Sequence, residues 1–151
     1  MSALALVAGA GLAATAAAAG PTAVHAAPAA KHVGSRHVGS MISLRQTSRG
    51  TVLVGANGHS LYLFTSDTTN HSHCGPGCRK KWPPVTATHL PKAGAGVSRR
   101  HLKLIKGHQV SYYGRPLYTY YKDTKAGQTK GEGLLRFGGY WYLVGAKGGI
   151  V

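Results

Sequence analysis

Gly58-His59-Ser60-Leu61-Tyr62-Leu63-Phe64-Thr65-Ser66-Asp67-Thr68 is matched later in the chain by Gly114-Arg115-Pro116-Leu117-Tyr118-Thr119-Tyr120-Tyr121-Lys122-Asp123-Thr124. Glycine, leucine, tyrosine, aspartate and threonine coincide, and Phe64 meets Tyr120. The chain holds only three acids, and two of them, Asp67 and Asp123, occupy the same place in the two copies; the third is Glu132. Scarce residues at matched positions mark an internal repeat.

Each copy reads as a β-hairpin. Thr51-Val52-Leu53-Val54 is a β-branched run, and Asn57-Gly58 is a strong two-residue turn signal that wants positive φ at both positions. Leu61 to Thr65 then returns as a strand. A period of two puts Tyr62 and Phe64 on one face, Leu61 and Leu63 on the other. The second copy repeats this with Gln109 to Tyr113, a turn at Gly114-Arg115, and Leu117 to Tyr121, where Tyr118 and Tyr120 share a face. Tyr140-Trp141-Tyr142-Leu143-Val144 is a further strand, and no stretch after residue 50 keeps a helical period. Each Asp follows its aromatic strand into a turn, where its carboxylate is expected to accept backbone N–H groups. The fold class read here is mainly β: a small antiparallel domain of two pseudo-repeats of β-hairpins, at 50–90 and 107–151, joined by a basic linker at 91–106.

Upstream the composition changes. No aromatic residue precedes Tyr62 in the 151-residue chain. Residues 1–26 are rich in Ala, Gly and Leu, and Val24-x-Ala26 offers small residues to a signal peptidase, so the segment reads as a signal peptide or an uncleaved anchor. It opens Met-Ser-Ala-Leu without Lys or Arg, which leaves room for a start upstream of Met1. Residues 27–49 carry Lys31-His32-Val33-Gly34-Ser35 and Arg36-His37-Val38-Gly39-Ser40 in tandem; they read as a flexible basic tether, with Met41 to Leu44 pairing at most at a sheet edge.

Both cysteines lie in His71-Ser72-His73-Cys74-Gly75-Pro76-Gly77-Cys78. An even count in an exported chain favours a Cys74–Cys78 disulfide. The other reading makes His71, His73, Cys74 and Cys78 a zinc or copper set, the basis of an alternative metal-binding or redox function. Cofactors are otherwise not expected. Trp82-Pro83-Pro84 reads as a rigid corner at which a strand must stop, and Trp82 and Trp141 as core anchors.

Lys and Arg number 18, for a formal charge of +15. Such a chain attracts polyanions. Arg79, Lys80 and Lys81 form one cluster, and Arg99, Arg100, Lys103 and Lys106 another. Together they make a candidate patch for anionic envelope polymers, lipid headgroups or, without base specificity, nucleic acid. No specific protein partner is inferable, and a monomer is expected. No nucleophile elbow or phosphate loop is present, and acid–base chemistry would have to come from Asp67, Asp123 or a histidine, so a non-catalytic binding module is expected.

The two Tyr-x-aromatic-x-x-Asp motifs, Cys74-x-x-x-Cys78, Trp82-Pro83-Pro84 and Gly138-Gly139-Tyr140-Trp141-Tyr142 together resemble the bacterial secreted-repeat family of unknown function, described as predicted lipoproteins with a Yx(F/W/Y)xxD motif. The resemblance spans residues 50–146. It implies an exported, envelope-associated protein with two family repeats, and it implies no activity. The chain lacks the cysteine that would accept a lipid near the end of its N-terminal segment.

Overall fold

The structure is a computed structural model that describes residues 38–151. The signal or anchor segment at 1–26 and the tether up to residue 37 lie outside the described residues. The strands are β1 (Met41–Thr47), β2 (Gly50–Val54), β3 (Tyr62–Phe64), β4 (Lys92–Ala93), β5 (Leu102–Ile105), β6 (Gln109–Tyr112), β7 (Arg115–Pro116), β8 (Leu134–Arg136) and β9 (Gly139–Leu143). Among the described residues a single four-residue α-helix, α1 (Pro76–Arg79), interrupts them, along with three short 3-10 turns. The protein is mainly β, in three three-stranded sheets ordered β2-β1-β4, β3-β9-β8 and β5-β6-β7.

Period-two alternation in β3 holds, with a consequence for packing. Tyr62 and Phe64 enter an aromatic core with Trp82, Tyr118, Trp141, Val52, Val54, Leu143 and both cysteines. Leu61 and Leu63 enter an aliphatic core with Ile42, Leu53, Val85, Val110, Tyr112, Leu117 and Val144. The strand is therefore buried on both faces, and its two side-chain sets face different partners.

Two segments read as linkers are structured. The first described strand begins at Met41, before residue 50. β1 is the central strand of its sheet, antiparallel to β2 from Thr47↔Gly50 to Ser43↔Val54 and parallel to β4 at Met41↔Lys92. Only Ile42 and Leu44 give it an apolar face, so a signal of two residues was hidden by the polar ones between them. Within 91–106, β5 pairs with β6 from Leu102↔Tyr112 to Ile105↔Gln109, and Val97 and Leu102 are buried. Five Lys and Arg residues are spread through that stretch, and Leu102 and Leu104 alternate with Lys103 among them.

The turns also differ in detail. Asn57 does not take positive φ; Gly58 alone does, at 78°. Gly58 N donates to Gly55 O and Gly55 N to His59 O, which makes the loop one residue longer than a two-residue turn. In the second copy the turn is Tyr113-Gly114, with φ of 47° and 75°, not Gly114-Arg115. That one-residue difference leaves the hydrogen bonds behind each turn equivalent: Leu61 N donates to Leu53 O, and Leu117 N to Val110 O.

The repeats exchange strands. β3 of the first copy pairs with β9 of the second, from Tyr62↔Leu143 to Phe64↔Trp141. Leu117 to Tyr121, expected as the aromatic strand of the second copy, forms no regular strand and is bridged only at Tyr118; it runs along Trp82-Pro83-Pro84 of the first, where Thr119 N donates to Pro83 O and Tyr121 N to Lys81 O. The corner is thus a hydrogen-bonding partner. A proline lacks the N–H but keeps its carbonyl, and these carbonyls accept. At the centre Tyr62 N donates to Tyr118 O at 2.9 Å and Tyr118 N to Tyr62 O at 3.0 Å, a reciprocal pair between equivalent residues. The two tryptophans that follow the exchange are fully buried and stack on each other, with centroids 3.9 Å apart and planes at 5°.

Candidate functional site

The motif residues meet across the repeats. Tyr62 donates its hydroxyl proton to Asp123 Oδ2 at 2.6 Å, and Tyr118 donates to Asp67 Oδ2 at 2.7 Å. The second carboxylate oxygen closes the local turn in each case: Asp67 Oδ1 accepts from His73 N at 2.7 Å, and Asp123 Oδ1 from Lys130 N at 2.9 Å. The turn-closing role expected for each Asp is present, and a long-range bond to the opposite tyrosine is added to it. Sequence could not show that, because an alignment reports equivalence and not contact. Asp67 and Asp123 are 7% and 2% exposed and share no hydrogen-bond partner.

Burial sets the electrostatics. It pushes the Tyr62 phenol far above its ordinary value of 10.0, reinforced by the hydrogen bond to Asp123. Burial raises Tyr118 likewise, reinforced by Asp67 and opposed by Ser72, whose Oγ lies 2.7 Å from the phenol oxygen. Burial also lifts the Asp67 carboxyl above the usual range, against the lowering effect of the His73 N–H and the Tyr118 hydroxyl. A phenol whose pKa is raised by folding contributes stability that is present below the unfolded value and lost as pH rises above it. The protein is therefore expected to keep its fold to about pH 10 and to unfold cooperatively beyond it. Tyrosinate absorbance followed together with near-ultraviolet circular dichroism checks this. Gradual ionisation of all eight tyrosines with the dichroism intact would contradict the buried pairs.

Cys74 and Cys78 form a disulfide. Pro76-Gly77-Cys78 turns as the start of α1, which brings the sulfurs together, and both half-cystines are buried in the aromatic core. In this state neither sulfur of the zinc or copper set is a free thiolate, the form in which sulfur ligates. His71 and His73 sit edge to face at 4.8 Å. Among the described residues no group of three or more His, Cys, Asp or Glu is placed to hold a metal ion.

The two basic clusters partly converge. Arg79 and Lys106 line one hollow with His71, and Arg100 and Lys103 line a second with Tyr113; Asn70 belongs to both. Asn70 is held by Ser111 Oγ at 2.8 Å and by donating its own N–H to Gly114 O. Lys81 instead lines a cleft of about 490 Å³ elsewhere. Lys80 and Arg99 are exposed and line neither hollow.

That cleft was missed in the sequence. Lys122, Lys130 and Arg136 join Lys81 there, with Tyr120, Tyr121, Phe137 and Trp82 as the aromatic part of the wall. These residues lie in three separate segments, so no local motif announces them. One local signal existed. Phe137-Gly138 forms the β8–β9 turn with φ of 58° and 84°, and the first of those positions ordinarily goes to Asn, Asp or Gly.

A family model described as a secreted repeat of unknown function matches residues 43–86 and 106–145. The chain belongs to this secreted-repeat family. Its two matches begin within β1 and just before β6. The first match ends just past Trp82-Pro83-Pro84 and the second just past Trp141, so both close on the strand that is exchanged. No curated protein and no solved structure matches the chain. Among the described residues no helix is long and apolar enough to cross a membrane.

Proposed function

We propose that this secreted-repeat protein is an exported, envelope-associated, non-catalytic module that holds anionic polymers on a cationic surface. The observation that carries the reading is the fate of the three acids. Asp67 and Asp123 are turned onto tyrosine hydroxyls and backbone N–H groups, and Glu132 Oε2 accepts from Leu143 N at 2.6 Å. Carboxylates used in this way leave the lysines and arginines of the surface uncompensated, and an uncompensated cationic surface raises the local concentration of polyanions. The hollows around Asn70 bring Arg79, Lys106, Arg100 and Lys103 onto neighbouring ground. Export is supported by the family's description as a secreted repeat. The absence of catalysis is supported by the full commitment of both aspartates to internal hydrogen bonds.

The test is affinity for heparin, teichoic acid and duplex DNA as a function of salt. Four phosphate contacts predict that DNA affinity falls about 100-fold between about 50 and about 200 mM salt. Reversing Arg100→Glu together with Lys103→Glu is expected to flatten that dependence and weaken all three ligands. Retention that ignores both salt and the reversals would refute the proposal.

A further inference from the structure

The cleft beneath the β8–β9 turn has a chemistry that the general positive charge does not require. Four cations, Lys81, Lys122, Lys130 and Arg136, line it without an acid among them. Like charges brought together raise each other's energy unless an anion joins them. Two of them gather at one ring: the Lys81 ammonium lies 4.3 Å from the Tyr121 centroid and that of Lys122 lies 5.7 Å from it.

Two large aromatic faces are left in solvent at the same place. Tyr121 is 43% exposed and Phe137 50%. Phe137 is held in the left-handed region, where a bulky side chain is disfavoured, and it forms no part of either core. Residues that break a local rule without a packing gain concentrate at functional sites. Behind them Trp82 and Tyr120 stand with centroids 4.3 Å apart.

A third observation is independent of charge and exposure. The Trp82 indole N–H is buried and has no hydrogen-bond partner. Its counterpart in the second repeat, Trp141, donates to Arg136 O at 3.2 Å. The first repeat replaces the β8–β9 hairpin with the disulfide turn, and with it goes the acceptor. A buried donor without a partner is costly, so the residue behind the aromatic wall of this cleft carries a polar defect that its counterpart lacks.

We propose that this cleft binds an anionic saccharide, a sugar ring bearing a carboxylate or phosphate. The volume suits a ligand of one or two rings. Lysine and arginine groups only donate, which favours a ligand rich in oxygen acceptors over a nucleobase, whose edge mixes donors with acceptors. Tyr121 and Phe137 supply faces on which the apolar side of a sugar packs, and the four cations receive its acid group. This proposal does not rest on the polymer reading above, because only Lys81 is common to the two.

Isothermal titration calorimetry on the whole protein tests it with three probes of similar charge: a glucuronate-containing tetrasaccharide, a glycerol phosphate oligomer without rings, and a short oligothymidylate. The tetrasaccharide is expected to bind best. Tyr121→Ala and Phe137→Ala are each expected to weaken it about tenfold, while Lys147→Ala leaves it unchanged. Both aromatic side chains are exposed, so thermal unfolding of these variants should match the parent. Equal binding of the ringless oligomer, or indifference to both aromatic substitutions, overturns the proposal. Tighter oligothymidylate binding that depends on Tyr121 overturns it in favour of nucleic acid. Heparin retention that persists in Tyr121→Ala and fails in the Arg100/Lys103 reversal keeps the polymer reading separate from this one.

Discussion

Asp123→Ala is expected to destabilise the fold by about 3 kcal/mol, since a buried donor, the Tyr62 hydroxyl, and a partly buried one, the Lys130 N–H, lose their acceptor together. Against a total of about 5–15 kcal/mol for a domain of this kind, that is a large fraction. Tyr62→Phe should cost about 2 kcal/mol, because it removes one charge-assisted bond and leaves Asp123 its contact with Lys130. The informative quantity is the coupling. Double-mutant cycles in denaturant should give an interaction energy of about 1–2 kcal/mol for Tyr62 with Asp123 and for Tyr118 with Asp67. Tyr62 with Asp67, which share a motif and no hydrogen bond, should be additive within about 0.5 kcal/mol. Coupling that followed the motif and not the cross-repeat pair would show that the carboxylates serve their own strands.

The second large effect concerns the halves of the molecule. Residues 38–90 and 91–151 produced as separate chains are expected to show no cooperative unfolding on their own. Each would carry an aromatic strand without its hydrogen-bonding partner, since β3 depends on β9 and Tyr118 to Tyr121 depend on Lys81 to Pro84. Each would also expose the face of a tryptophan whose stacking partner at 3.9 Å is on the other chain. Truncating a large buried aromatic costs about 3–5 kcal/mol, and loss of the strand ladder adds to it. Mixing the two chains in equal amounts should restore near-ultraviolet dichroism and a single denaturant transition. A cooperative transition from either half alone would refute the exchange.

These expectations bear on what the family unit is. The sequence match divides the chain into two repeats, and the backbone does not divide there. A unit of this family donates its Trp strand and carboxylate outward and receives the equivalent pair in return. Two units therefore satisfy each other, while one leaves a strand edge, a tyrosine hydroxyl and one oxygen of its carboxylate without partners.

Local chemistry was sufficient for the repeat, the strand at Tyr62 to Phe64, the opposite faces of Tyr62 and Leu63, the burial of Trp82 and Trp141, and the short disulfide. Each depends on neighbours within a few residues, or on side chains whose size and scarcity speak for themselves. Tertiary structure alone decided that β1 and β5 are strands, because a strand with few apolar residues exists only when other strands pair with it. It alone decided that each Asp reaches the other repeat's Tyr. It also assembled the cationic aromatic cleft from three segments, since contact between equivalent or distant residues depends on how the chain returns, and the spacing of motifs along it holds no record of that return.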